Sequence, residues 1–206
     1  MPKTPNIVII VASTRTVRFA DHPLTWLLAE TAKHTELSFE VLDVRENPLP
    51  FYDRPTSPGR TPREYGSDAE KAIGVRLDAA DGFLVITNEY NHGYNAPLKN
   101  LLDHYFAEWN RKPISFLGYG NAGGARAIEQ LRLVAAELEL ASVRPTVNIL
   151  GQQIMDIRGG ADPTETLAPF EPRLDALLAD LHWWATALAV ARKADLETTN
   201  ADDEDS

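Results

Sequence analysis

Five short runs of strand character, some almost uninterruptedly apolar and others alternating, recur along this chain, each separated from the next by a helix-period pattern, and that alternation restricts its fold most. Residues 6–12, built on Ile7-Val8-Ile9-Ile10-Val11, read as a buried strand, and Leu37, Phe39, Val41 and Val44 mark a second. Residues 82–87, Pro113–Tyr119 and 143–150 supply three more. Between them, apolar residues return every three or four positions, as one face of a helix requires. The first such stripe is Leu24, Leu27, Leu28 and Thr31, with Pro23 near its start. Ile73, Leu77 and Ala80 follow Ser67-Asp68-Ala69-Glu70, a pattern in which hydroxyl and carboxylate satisfy free N–H groups of the first turn. Leu98, Leu101, Leu102, Tyr105 and Phe106 follow Pro97. Ile128, Leu131, Val134, Ala135 and Leu138 fall within 125–140. A long last helix from about Pro172 places Leu174, Leu177, Leu178, Leu181, Trp184 and Leu188 inward. Strands apolar along their whole length are covered on both faces. The pattern therefore predicts an α/β protein, a five-stranded parallel sheet with helices on either side. No internal repeat interrupts it.

Composition narrows the function classes. The 206 residues include no cysteine, which excludes disulfides, thiolate metal sites and thiol nucleophiles and makes the cytoplasm the expected compartment. No apolar run approaches the roughly 20 residues of a membrane-spanning helix, and the first run reads as a strand rather than a secretion signal. Six of the ten excess negative charges lie in 195–206, which holds no base. That segment is expected to be an acidic, disordered tail. No dense basic stripe marks a nucleic-acid-binding surface. Residues 47–66 hold five prolines and two glycines, too many for regular structure. This long loop, with Arg54, Arg60 and Arg63, is either a lid or nicotinamide-phosphate contact, or an exposed connector.

In a parallel sheet, ligands bind beyond the carboxyl ends of the strands, so the loops there are the ones to inspect. After the first strand comes Ala12-Ser13-Thr14-Arg15-Thr16-Val17-Arg18. Hydroxyls and guanidiniums at a helix start suit a phosphate, though an ordinary capping loop with surface arginines has the same composition. After the third strand comes Asn88-Glu89-Tyr90-Asn91-His92-Gly93-Tyr94-Asn95-Ala96-Pro97, offering flat rings and amides to a planar ligand. His92 taken alone reads as a solvent-exposed loop residue, and the five histidines form no metal-binding pair. After the fourth strand, Gly118-Tyr119-Gly120-Asn121-Ala122-Gly123-Gly124 matches G-x-G-x-x-G formally. It lies at the wrong βα turn for a dinucleotide fingerprint, and no acid ends the following strand. Its glycines read instead as permitting close approach to a flat ligand.

At these residues the chain resembles the NADPH-dependent FMN reductase family, from about residue 6 to about residue 150. The most specific part is Glu89-Tyr90-Asn91-His92-Gly93-Tyr94 followed by Ala96-Pro97-Leu98-Lys99-Asn100. The resemblance implies a flavodoxin-like three-layer fold with strand order 2-1-3-4-5 over residues 1–194. It implies that Ser13, Arg15 and the loop through Arg18, Phe19 and Ala20 hold the FMN phosphate. Asn88, Glu89, Tyr90, Asn91 and His92 would line one edge of the isoalloxazine, and Gly120, Asn121, Gly123 and Gly124 its pyrimidine end. The family usually carries glycine where this chain has Ala12, and often near Val17 and Ala20; it often carries proline where this chain has Asn88 and Asn95.

The activity so implied is transfer of hydride from NADPH or NADH to FMN, then of electrons to a small acceptor such as a quinone, azo or nitro compound, metal oxyanion or free flavin. No side chain stands out as an acid or base, since the cofactor carries the chemistry. A flavodoxin-type electron carrier and a relative without flavin are the alternatives. Trp183, lying about 100° from its neighbours on the last helix, points to a homodimer or homotetramer.

Overall fold

The computed structural model describes residues 4–204, with side chains described through Asp195 and at Glu197. Strands β1 (Asn6–Val11), β2 (Ser38–Asp43), β3 (Gly82–Asn88), β4 (Pro113–Tyr119) and β5 (Ala141–Ile149) form one parallel sheet in the order β2-β1-β3-β4-β5. The expected fold class and strand order are both observed. Successive side chains of a strand point to opposite faces, and the core divides accordingly. Ile7, Ile9, Val11, Leu84, Ile86 and Leu117 lie in one apolar cluster, and Val8, Ile10, Phe83, Val85, Ile114 and Phe116 in the other. Helices α1 (Asp21–Thr31) and α7 (Glu171–Glu204) cover the first face; α2 (Asp68–Ala79), α3 (Ala96–Asp103) and α4 (Ala125–Glu137) cover the second.

Local signals act as expected, with informative exceptions. Ser67 Oγ accepts from Glu70 N at 3.2 Å, but the Glu70 carboxylate takes the N–H of Gly66 at 2.6 Å rather than that of Ser67. The stripe of α1 is rotated from the expected one: Trp26 is buried while Leu28 is 40% exposed. In α7 the core stripe passes from Leu181 to Ala185, leaving Trp184 38% exposed on its shoulder instead of inward. Trp183 is outside the core, as expected, and its ring meets that of Trp184 edge-on at 5.1 Å. Pro145 interrupts β5, where the pairing with β4 shifts register between Ile114 and Phe116. A strand at the sheet's edge tolerates this missing donor.

Two short helices, α5 (Gly151–Arg158) and α6 (Pro163–Leu167), fill the interval before α7. Neither has a long enough stripe to announce itself in the sequence. The backbone of α7 continues through the acidic segment to Glu204, and Asp195 pairs with Arg111; residues 205 and 206 lie outside the described residues.

The 47–66 loop is tied down along its length. Asn100 of α3 donates to the carbonyls of Leu49 and Pro50 and accepts from Tyr52 N. The Tyr65 hydroxyl donates to the buried Glu108 at 2.8 Å. Arg54 reaches Glu64 O at 2.7 Å and Arg63 reaches Asp78 at 2.9 Å. Of the three arginines considered for a nicotinamide phosphate, two are therefore engaged within the protein.

Lys112 closes the carboxyl end of α2, its Nζ donating to Leu77 O and Asp78 O at 2.8 Å each. The side chain is buried, and burial pushes its pKa down from 10.5 to about 8. Between those values the unfolded chain binds a proton that the folded chain has released, so stability rises with pH there. Below about 8 both states hold the proton and the full penalty remains. Urea unfolding from pH 8 to 10 should show that rise in the parent and not in Lys112→Met, the difference between the two changing by on the order of 1 kcal/mol per pH unit.

Candidate functional site

The order β2-β1-β3 reverses the direction of winding at β1, and beyond the carboxyl ends of β1, β3 and β4 lies an open cleft of about 170 Å³. Such a reversal leaves a crevice, because the connections on its two sides run to opposite faces of the sheet. Three loops and α5 form its walls.

The loop after β1 is shaped by Arg18. Its guanidinium donates to Ser13 O at 2.7 Å, to both carboxylate oxygens of Asp43 at 2.7 and 2.5 Å, and through Nε to Asp21 at 2.8 Å. The bonds to Asp43 hold its pKa above the ordinary arginine value. Burial pushes the Asp43 carboxyl up, but the bonds from Arg18 and Arg45 N outweigh it and keep the pKa below the usual range. Arg18 thus borders the cleft as a brace with its donors engaged. Arg15 is exposed on the same wall and makes no ion pair or hydrogen bond among the described residues. Ala12, Val17 and Ala20, at or near positions where the resemblance leads one to expect glycine, all avoid positive φ, so their Cβ atoms cause no backbone strain there. Ala20 is buried behind the loop, away from the cleft.

The loop after β3 makes a tight turn. Tyr90 and Gly93 exchange backbone hydrogen bonds at 2.9 Å, with Asn91 and His92 between them at φ 48° and 67°. Left-handed conformation at both central positions is the geometry of a type I′ turn, which asparagine tolerates. Asn91 and His92 are exposed on the rim, outside the cleft lining; Asn88, Glu89 and Tyr90 are in it. Asn88 and Asn95 are joined by one hydrogen bond: Asn95 Nδ2 donates to Asn88 Oδ1 at 2.8 Å, while Asn95 Oδ1 caps α3 by accepting from Leu98 N. Asn88 Nδ2 is buried and has no partner among the described residues.

Glu89 joins this loop to the next. Its side chain is buried and its carboxylate accepts from Arg126 N and Nε at 3.2 and 2.6 Å. Because Gly124, the residue before α4, has no side chain to cap the helix, Glu89 supplies the acceptor from across the cleft. Arg126 also donates to His92 Nε2 at 2.9 Å, which puts the imidazole proton on Nδ1.

In the loop after β4, Gly120 and Asn121 border the cleft but Gly123 and Gly124 are buried beneath it. A Cβ on Gly124, at φ 73°, would stand 2.9 Å from Gly118 Cα; one on Gly123, at φ 64°, would stand 2.8 Å from Asn148 Cβ. The turn's own packing requires glycine at both positions.

Several cleft residues were not singled out from the sequence. Tyr119 forms the floor with Phe19, the ring centroids 5.3 Å apart, and burial raises its pKa to about 12, so it stays a neutral phenol. Ile154, Met155 and Arg158 come from α5. Arg158 is exposed and, like Arg15, makes no ion pair or hydrogen bond among the described residues. Nothing in a short polar helix distinguishes that arginine before the chain folds. The cleft therefore offers two unengaged guanidiniums, an aromatic floor and amide groups from Asn88 and Asn121, a set suited to a flat polar ligand bearing an anionic group.

The family model for NADPH-dependent FMN reductase matches residues 5–153. The chain is 35% identical over 162 residues to an NAD(P)H-dependent FMN reductase of Schizosaccharomyces pombe, covering 78% of this chain and 80% of that one. It is 31% identical over 145 residues to a 2-hydroxy-1,4-benzoquinone reductase of a Burkholderia species, covering 66% and 72%. Among solved structures, the NAD(P)H:(acceptor) oxidoreductase FerB of Paracoccus denitrificans superposes with a TM-score of 0.67 at 20% identity, over 88% of this chain and 97% of that one. With the fold, the three loops and these matches in agreement, the chain belongs to the NADPH-dependent FMN reductase family.

Proposed function

We propose that this chain is an FMN-dependent oxidoreductase that takes reducing equivalents from NADPH or NADH and passes them to a small acceptor, a quinone being the class to which the benzoquinone reductase relative points. The carrying observation is the cleft at the switch point, whose unengaged Arg15 and Arg158, aromatic floor and buried Asn88 amide fit a planar ring system with one terminal phosphate. FMN, when bound, supplies hydride acceptance and electron release.

The protein's residues position and shield. Arg15 and Arg158 hold the phosphate, with Ser13 presented on a loop that Arg18 keeps in place. Phe19 and Tyr119 provide an apolar surface, and the neutral Tyr119 keeps negative charge away from the reduced ring. Glu89 and Arg126 clamp the two loops that border the ring. No described helix is long and apolar enough to cross a membrane, in keeping with the proposed cytoplasmic location. On α7, Trp183, Ala187 and Val190 recur at i, i+4 and i+7 on an exposed face, which supports a homodimer.

Purified protein should release FMN on denaturation, and NADPH added without oxygen should bleach the bound flavin until a quinone restores its colour. Absence of flavin binding, or a flavin untouched by NADPH, would count against the reading. Arg15→Ala and Arg158→Ala each remove a charge-assisted contact worth roughly 1.5–3 kcal/mol. Each should weaken FMN about ten- to a hundredfold by fluorescence titration while leaving riboflavin, which has no phosphate, nearly unchanged. Glu89→Ala, which releases both loops, should weaken the two flavins alike. Light scattering at micromolar concentration should report twice the 22.8 kDa of one chain.

A further inference from the structure

On the far side of the loop that follows β1 lies a second cavity, of about 440 Å³. Ser13 and Arg15 face the flavin cleft, whereas Thr14 between them lines this cavity. Its other walls are the segment after β2, from Val44 to Phe51, and the first turns of α3. The sequence holds no motif for it, because three distant segments must meet before it exists.

Its chemistry is narrow. Val44, Leu49, Phe51, Pro97 and Leu101 make it apolar, no carboxylate lines it, and the single formal charge on it is the Arg45 guanidinium, whose Nε donates to Glu46 at 2.9 Å while its two terminal nitrogens stand 3.9 and 4.0 Å from Asp21 and Asp43. An apolar concavity of this size with few polar groups is the usual form of a small-molecule site. The walls are preformed. Asn100 Nδ2 donates to Leu49 O at 3.2 Å and Pro50 O at 2.9 Å, and its Oδ1 accepts from Tyr52 N at 3.2 Å. Asn47 Nδ2 donates to Asp43 O at 2.8 Å, and Pro48 and Pro50 restrict the backbone between. Against this fixed scaffold the Phe51 ring stands 80% exposed at the lip. A large ring left in water beside an apolar hollow is a surface that a ligand covers with gain.

We propose that this cavity is a second small-molecule site, separate from the flavin cleft, that takes a planar aromatic compound of one or two rings, neutral or anionic. The rings lie against Leu49, Phe51 and Pro97, and an acidic substituent faces Arg45. The absence of any lining carboxylate disfavours a cation, and the prolines and leucines leave no hydrogen-bonding array for a sugar. The site goes beyond the proposed reductase reaction and does not depend on it: the two cavities share no lining residue.

The test is titration of the full-length protein, with FMN at saturating concentration, by 2-naphthoate followed by ligand-observed NMR. Saturable binding that is unchanged when FMN is raised further is expected. Phe51→Ala, at an exposed position that folding does not depend on, should weaken naphthoate about tenfold and leave FMN affinity as it was. Arg45→Met should weaken naphthoate and spare 2-naphthol, which lacks the carboxylate. No saturation up to millimolar naphthoate, displacement of naphthoate by FMN, or a Phe51→Ala variant that binds naphthoate as the parent does would each overturn the proposal. Should the chain bind no flavin, the naphthoate titration is read on the protein alone, so failure of the reductase reading and failure of this site remain distinct results.

Discussion

The buried pair between Arg18 and Asp43 is the interaction on which the functional end of the molecule depends. Arg18 is 6% exposed, and its guanidinium gathers the carbonyl of Ser13 and the carboxylates of Asp21 and Asp43 at once. It thereby joins the loop after β1, the start of α1 and the end of β2. A charge so deep is tolerated because its partners meet it with full hydrogen bonding; removing one partner of such a pair typically costs about 3–5 kcal/mol. Asp43 passes the constraint on, since its Oδ1 holds Arg45 N and its carbonyl holds Asn47. Both cavities therefore share one brace: Ser13 on the side of the switch-point cleft, and residues 45–47 on the other.

A second brace serves the opposite lip of the cleft. Glu89 replaces the missing cap of α4 and binds Arg126, which in turn holds His92. The two bracing charges belong to residues that the family resemblance assigns to ligand contact. In a shallow cleft made of loops, the loops themselves must be held before they can hold anything, and charged side chains are the groups able to span that distance. Arg15 and Arg158 differ only in having no partner nearby, which is why they are available to an anion.

The sheet and the position of the cleft were legible because they follow from period, whereas the strand order came from the family resemblance. Apolar strands such as Ile7-Val8-Ile9-Ile10-Val11 and 82–87 can be buried only between two helical layers, and a parallel sheet so covered places its ligand loops at one end. Local chemistry was legible too: the Ser67 cap and the outward Trp183 are consequences of spacing. Less was legible where several residues could play one part. Arg15 and Arg18 are three positions apart with identical chemistry, and only the place of Asp43, on a strand 25 residues on, separates the unengaged guanidinium from the brace.

By itself the sequence determined the layers, the strands, the loops that meet at the cleft and the family motif around Glu89 to Tyr94, because each is a matter of neighbours along the chain. The tertiary structure alone decided which arginines are free, that Glu89 faces a helix end, that Gly123 and Gly124 serve packing, and that α5 contributes Arg158. It also decided that an apolar hollow opens beside Thr14. The physical reason is the same in each case: whether a charge is paired, or a ring is covered, depends on groups that are distant in sequence and meet only when the sheet closes the distance between them.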